Sequence, residues 1–304
     1  MTDMTIQAVR PNPLWFGPVL VLLGGICIGF APIGLRYGLE TMGPQAIAFW
    51  RYTFAVPLVF ATALFAQKRL PARPNRFVIL AGICFALDIG FWHAALALTT
   101  VANATFIVNL GNIGVGLLAW IFLRERPGAI WSIAVIVALC GAGLLTFGGG
   151  VESGGNLRGD GLALIAAILV SGYMLCAKIA RRNLSGLDVL FWVTVTEMVV
   201  AAFLTLLSGE NFIPATLSGF VMPFFLAVVV QLAGQGLIIA GLGKTPASIA
   251  GVLILIQPVI AAGISWQLFD EMLVALQFLG GGLLLAGVFL AQRGSTNKTA
   301  ITVD

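Results

Sequence analysis

Charge is what this chain has least of: 9% of its 304 residues are Asp, Glu, Lys or Arg, while 60% are hydrophobic. A soluble fold of that composition has no charged exterior to offer water. One His and four Cys leave little for catalysis or metal binding. Cys27, Cys84, Cys140 and Cys176 all lie within apolar runs without metal-ligand spacing, so they read as small packing residues and imply neither disulfides nor a metal site. A membrane enzyme would need a nucleophile, a base or a metal set, and no His/Cys/carboxylate cluster with ligand spacing is present. ATP-driven pumping is excluded as well. Gly243-Lys244-Thr245 imitates the end of a phosphate loop, but the first Gly of G-x-x-x-x-G-K-T would fall on Ile238, inside an apolar run. Repeated selectivity-filter loops are missing, which argues against a channel. No cofactor is expected.

What the chain has is long apolar runs. About 20 residues at ~1.5 Å each cross a hydrocarbon core roughly 30 Å thick. Ten runs meet that need, at 16–35, 46–66, 77–98, 103–123, 129–147, 161–179, 187–207, 220–240, 248–268 and 273–291. They predict an all-α polytopic membrane protein. The first run is too long for a signal-peptide core and lacks a clear cleavage site, so it is expected to stay in the mature chain. With the N-terminus inside, the cytoplasmic segments hold twelve basic residues, among them Arg10, Lys68, Arg124, Lys244, Arg293 and Lys298, and the outer loops hold only Arg36 and Arg158. Both termini are therefore expected on the cytoplasmic side of the cell (inner) membrane. The formal charge of +4 is a topology signal and gives no reason to expect nucleic acid.

Slid against itself by 146 residues, the stretch 99–146 meets 245–292: Thr99 falls on Thr245, Trp120 on Trp266, Glu125 on Glu271 and Gly141 on Gly287. Trp and Glu are scarce here, so their matched placement points to duplication. Five runs precede the Gly-rich segment GGGVESGGNLRGDG and five follow it. Five is odd, so the second half enters the membrane in the opposite sense, as a 5+5 inverted-topology repeat. The expected units are an N-terminal segment 1–15, a repeat 16–147, a linker 148–160, a repeat 161–292 and a tail 293–304.

Polar residues inside the runs mark candidate sites. Gly25-x-x-x-Gly29 suits close helix packing, and Pro32 beyond it is a candidate hinge, as is Pro258 of the ninth run. Arg51 lies about one and a half turns inside the second run, and the shift of 146 sets it against Glu197. In the third run Asp88 and Trp92 share a helix face, while His93 points away. A buried carboxylate beside an aromatic suits a substrate amine, or a proton exchanged during a cycle. Asn109 and Asn112 share a face of the fourth run, either lining a wet cavity or bonding across helices. Tyr173 and Lys178 belong to the sixth run, with Lys178 read as snorkelling towards Arg181 and Arg182. Thr194 and Glu197 belong to the seventh run, Gln231 and Gln235 to the eighth and Gln257 to the ninth. The expected substrate site is Asp88, Trp92, Asn109, Asn112, Tyr173, Gln231, Gln257 and Arg51, with Asp88 and Glu197 as candidate proton-coupling groups.

The motifs Phe49-Trp50-Arg51-Tyr52, Leu123-Arg124-Glu125-Arg126-Pro127 and its echo Phe269-Asp270-Glu271, taken with the ten-run layout, resemble the drug/metabolite transporter superfamily, EamA type. Within it the chain looks most like the YddG-type amino-acid exporters. The resemblance implies a central cavity walled by spans from both halves and outward carriage of amino acids, notably aromatic ones. The expectation is a secondary transporter exporting amino acids or similar small amphipathic metabolites by alternating access. The alternatives are export of other metabolites or drugs, and lipid flipping. The expected partners are a small-molecule substrate and the bilayer, for a monomer without ATP or nucleic acid.

Overall fold

Proline positions decide where two of the membrane segments break. The structure is a computed structural model and describes residues 15–96, 98–99, 101–125, 127–148, 156–269 and 273–299, whose regular elements are all helices. The first apolar run forms two of them, α1 (Phe16–Ile28) and α2 (Ala31–Gly38). Pro32 has no amide to offer the carbonyl four residues back, on Ile28, and α1 ends at that residue. There follow α3 (Pro44–Gln67), α4 (Arg76–Leu96), α5 (Val101–Leu123), α6 (Ala129–Phe147), α7 (Leu157–Ala180) and α8 (Gly186–Ser208). The eighth run is composite: a 3-10 turn Leu217–Phe220, then α9 (Val221–Phe225), a π-helix Leu226–Gln235 and α10 (Gly236–Leu242). The ninth breaks as the first does. Its α11 (Ala247–Ile254) stops four residues before Pro258, which stands second in α12 (Gln257–Phe269). The last helix is α13 (Ala275–Thr299).

Among the described residues nine helices are long and apolar enough to cross a membrane, and Ala275–Ala291 is a shorter apolar one. Arg126, Asp270, Glu271 and residues 149–155 of the Gly-rich segment lie outside the described residues. Side chains such as Phe65, Ile121, Phe122 and Leu206 are exposed on the outer surface, as an apolar solvent requires.

The helices pair in a regular pattern. α3 packs on α8 and α6 on α13; α4 packs on α7, and α1 on α10; α5 lies along α7, and α11 along α1. Small residues carry the close approaches. Gly141 of α6 sits against Gly280 and Leu284 of α13, and Gly287 of α13 sits against Ala134 and Ala138 of α6. The members of these two sets differ by the same 146 residues that aligned the sequence with itself. Gly17 against Lys244 and Thr245, and Gly159 against Leu98 and Thr99, repeat the relation for the facing residues.

Carboxylates fasten helix starts contributed by other segments, where unpaired amides and the helix dipole favour negative charge. The Ala247 amide donates to Glu125 (2.9 Å) and the Ala46 amide to Glu210 (2.9 Å). Asp188 completes a capping box with Ser185 and also receives Arg69 (2.6 Å) and the Ala72 amide (3.1 Å), which ties the α3–α4 loop to the start of α8.

Candidate functional site

On α4, Phe85, Asp88 and Trp92 are spaced by three and four residues and so occupy one face. That face looks into a cleft of about 170 Å³ that is partly open at its mouth. Gly29 and Pro32 at the first helix break, Gln257 and Pro258 at the second, and Gln235 at the end of the π-helix also line it. The two breaks adjoin. Gly25 packs against Ile256, and Gly29 against Ile260 and the Gln257 carbonyl, with no room for a Cβ at either glycine.

The polar groups facing the cleft are few. Asp88 is 4% exposed, and its Oδ1 has no hydrogen-bond partner. Trp92 Nε1 is also without a partner, while its ring leans on His93 with centroids 5.3 Å apart. Asn112 donates to Asn109 Oδ1 (3.2 Å), and Asn109 donates to the Thr105 carbonyl (2.9 Å). Asn112 is therefore tied to Asn109 and Asn109 to Thr105 along one helix face, and neither bond crosses between helices. Tyr173 donates to Gln235 Oε1 (2.7 Å), and its ring packs on Phe85 at 4.7 Å. Among the described lining residues there is no Lys, Arg or His.

Asp88, Trp92, Asn109, Asn112, Tyr173, Gln257, Pro32 and Pro258 thus line one cleft. Two predicted members do not. Arg51 donates to Gln231 Oε1 (2.6 Å), and Gln231 Nε2 donates to Glu197 Oε2 (2.6 Å) and Thr194 Oγ1 (3.0 Å). This is a separate, buried network between α3, α8 and the π-helix; Gln231 and Glu197 are both fully buried in it. Arg51 and Gln231 lie outside the cleft, in a network where Gln231 bridges the buried guanidinium to the Glu197 carboxylate. The offset that set Arg51 against Glu197 in the sequence here joins them through one amide. Lys178 also differs from its reading. It pairs with Glu125 (3.2 Å) and donates to the Thr245 carbonyl (2.5 Å), because two acceptors at the end of α5 and before α11 are within reach.

Gln235, Phe85 and Thr105 are among the lining residues that the expected substrate site left out. Phe85 was legible at three residues before Asp88. Gln235 was legible only as the companion of Gln231, with nothing in the sequence to say which of the two meets the cleft.

The profile of the EamA-like transporter family matches residues 15–147 and again 157–292. The chain belongs to that family. It is accordingly a multi-pass membrane transporter, and the cleft of this EamA-like chain lies between elements from both matched stretches. It is similar to the uncharacterized transporter YwfM of Bacillus subtilis (27% identity, covering 95% of this chain and 88% of YwfM). It is also similar to the pseudopaline exporter CntI of Pseudomonas aeruginosa (24%, 91% and 96%) and to the uncharacterized inner membrane transporter YhbE of Escherichia coli (24%, 91% and 91%). One crystal structure of a protein superposes with a TM-score of 0.79 at 16% identity over 90% of this chain and 96% of that one, a likeness of fold alone.

Proposed function

We propose that this EamA-like transporter is a secondary exporter of amino acids, including aromatic ones, or of similar small amphipathic metabolites, working by alternating access without ATP as a monomer in the inner membrane. The observation that carries the reading is the cleft: an unpartnered carboxylate, Asp88, among aromatic rings and amides, at the junction of two broken helices. Apolar walls with a few convergent polar groups are the usual form of a small-molecule site. Asp88 serves as the substrate-amine partner and the proton-coupling group, and Glu197 sits behind the wall. The broken helices supply the hinges, at Pro32 and Pro258.

We further infer a 5+5 inverted repeat over 16–147 and 161–292, joined by the linker 148–160, with both termini cytoplasmic. The double family match, the reciprocal glycine contacts at a constant offset and the basic residues gathered at one end of the molecule support it. A second reading, export of metabolites or drugs that are not amino acids, is favoured by the similarity to CntI and by the lack of a cation in the described lining.

Counterflow in proteoliposomes tests the function. Liposomes loaded with unlabelled amino acids and diluted into labelled Phe, Met or Thr should accumulate label transiently, and an imposed pH gradient should change the extent. Absence of accumulation for every amino acid, from protein shown to be folded, would discard the amino-acid reading in favour of other metabolites.

A further inference from the structure

We propose that the cleft recognises its substrate through a protonated amine alone and offers a substrate carboxylate no charged partner. The class it fits is an aromatic or apolar primary amine whose acid group is absent or neutralised as an amide. The proposal rests on the transport reading above and narrows it.

The positive half of the argument is Asp88. A carboxylate 96% removed from solvent, with one oxygen lacking any hydrogen-bond partner, is costly in an apolar surround, and either a proton or a bound cation relieves it. Rings stand where such a cation would need them. Phe85 and Trp92 lie one turn to either side of Asp88, and Tyr173 is packed on Phe85 with ring planes tilted by 50°. Aromatic faces attract an ammonium within about 6 Å and cover the apolar body attached to it.

The negative half is the fate of every described cation near the cleft. Neither Arg51 nor Lys178 lines the cleft: Arg51 donates to Gln231 while its Nε stays buried without a partner, and Lys178 is held by Glu125 and the Thr245 carbonyl. The neutral donors are also largely committed: Asn112 to Asn109, Asn109 to Thr105, and the Tyr173 hydroxyl to Gln235. The helix restarts do not replace them. Pro32 and Pro258 have no amide, and the amides around them turn to their own chain, Phe30 to the Cys27 carbonyl (3.3 Å), and Val259 and Ile260 to the Ile256 carbonyl (3.1 and 3.2 Å). What is left over is neutral: Trp92 Nε1, buried without a partner, and the side-chain amides of Gln235 and Gln257, all suited to a carbonyl or hydroxyl oxygen.

Four compounds separate the possibilities: phenylalanine, phenylalaninamide, phenethylamine and N-acetylphenylalanine. Each is tested by counterflow in proteoliposomes and, independently of transport, by its effect on the thermal unfolding of the purified full chain. The amide and the amine should half-saturate at concentrations about tenfold below phenylalanine, and the N-acetyl compound should neither exchange nor stabilise. In Asp88→Asn the preference for amines should collapse to about equality, whereas Asp88→Glu should keep it. N-acetylphenylalanine acting as well as the amide, a preference that survives Asp88→Asn in folded protein, or stabilisation by none of the four would overturn the proposal. Stabilisation by the amines without exchange of any compound would uphold the site and remove the transport reading for this substrate class.

Discussion

Asp88 and Glu197 are both carboxylates buried within the membrane segments, and their neighbours give them different work. Asp88 faces the cleft with a free oxygen, while Glu197 receives an amide that Arg51 holds from the other side. Asp88→Asn keeps the shape and removes the charge, so counterflow of an amine-bearing substrate should fall by at least about tenfold, equivalent to ~1.4 kcal/mol or more. His93→Gln should leave it near normal, because His93 is absent from the cleft lining. Equal, near-normal flux in both variants would remove Asp88 from the site. The Arg51–Gln231–Glu197 network predicts a stability effect instead. Arg51→Met strands Glu197 and should cost about 3–5 kcal/mol in unfolding from detergent micelles, and Arg51→Met with Glu197→Met should recover most of it. Additive losses in the double variant would mean that the two charges are not coupled.

At the scale of elements, nine of the ten expected runs are spanning helices among the described residues, and the sequence marked two of their three irregularities. Apolar length alone located the helices to within a few residues, apart from the last, which runs on to Thr299 past the end of its apolar run at 291, because a bilayer admits few other backbones. Pro32 and Pro258 marked the breaks, since each removes one amide and α1 and α11 end where that amide would have bonded. The π-helix Leu226–Gln235 was not legible. Its sequence, LAVVVQLAGQ, has no Pro and reads as an ordinary apolar helix, and the partners that hold it, Arg51, Glu197 and Tyr173, come from three distant helices. For the same reason Gln231 was placed in the cleft and Gln235 was not. If the adjoining breaks are the moving parts, Pro32→Ala and Pro258→Ala should slow counterflow roughly tenfold, about 1.4 kcal/mol on the barrier. Substrate-induced thermal stabilisation should stay within about twofold of the parent at matched ligand concentration. An unchanged rate in both variants would make the breaks purely structural.

The whole molecule separates its charges by end. Lys68, Arg69, Arg73 and Arg76 follow α3, Arg124 follows α5, Arg181 and Arg182 follow α7, and Lys244 follows α10. Contacts bind these loops into one face: Arg69 with Asp188, Lys178 with Glu125, Glu125 with the start of α11, and Lys244 over the Phe16 ring at 4.7 Å. Among the described residues the opposite face carries Glu40, Asp160 and Glu210 with only Arg36 and Arg158, and it is fastened by Glu210 to Ala46 and by Thr99 to Asp160 (2.7 Å). The loop-by-loop charge bias could be read without coordinates because each basic cluster sits next to a span end; that all the clusters share one face depends on the parity of spans, which the packing repeats. The proposed orientation keeps these basic loops in the cytoplasm. In a background with the four native Cys replaced, Lys244→Cys should react with an impermeant maleimide only after the cells are permeabilised, and Arg158→Cys should react in intact cells. The Glu125–Lys178–Thr245 contacts close the basic face, so Glu125→Gln should increase the reactivity of Lys244→Cys from that side by loosening them. Labelling of Lys244→Cys from outside intact cells would reverse the molecule in the membrane and turn the proposed exporter into an importer.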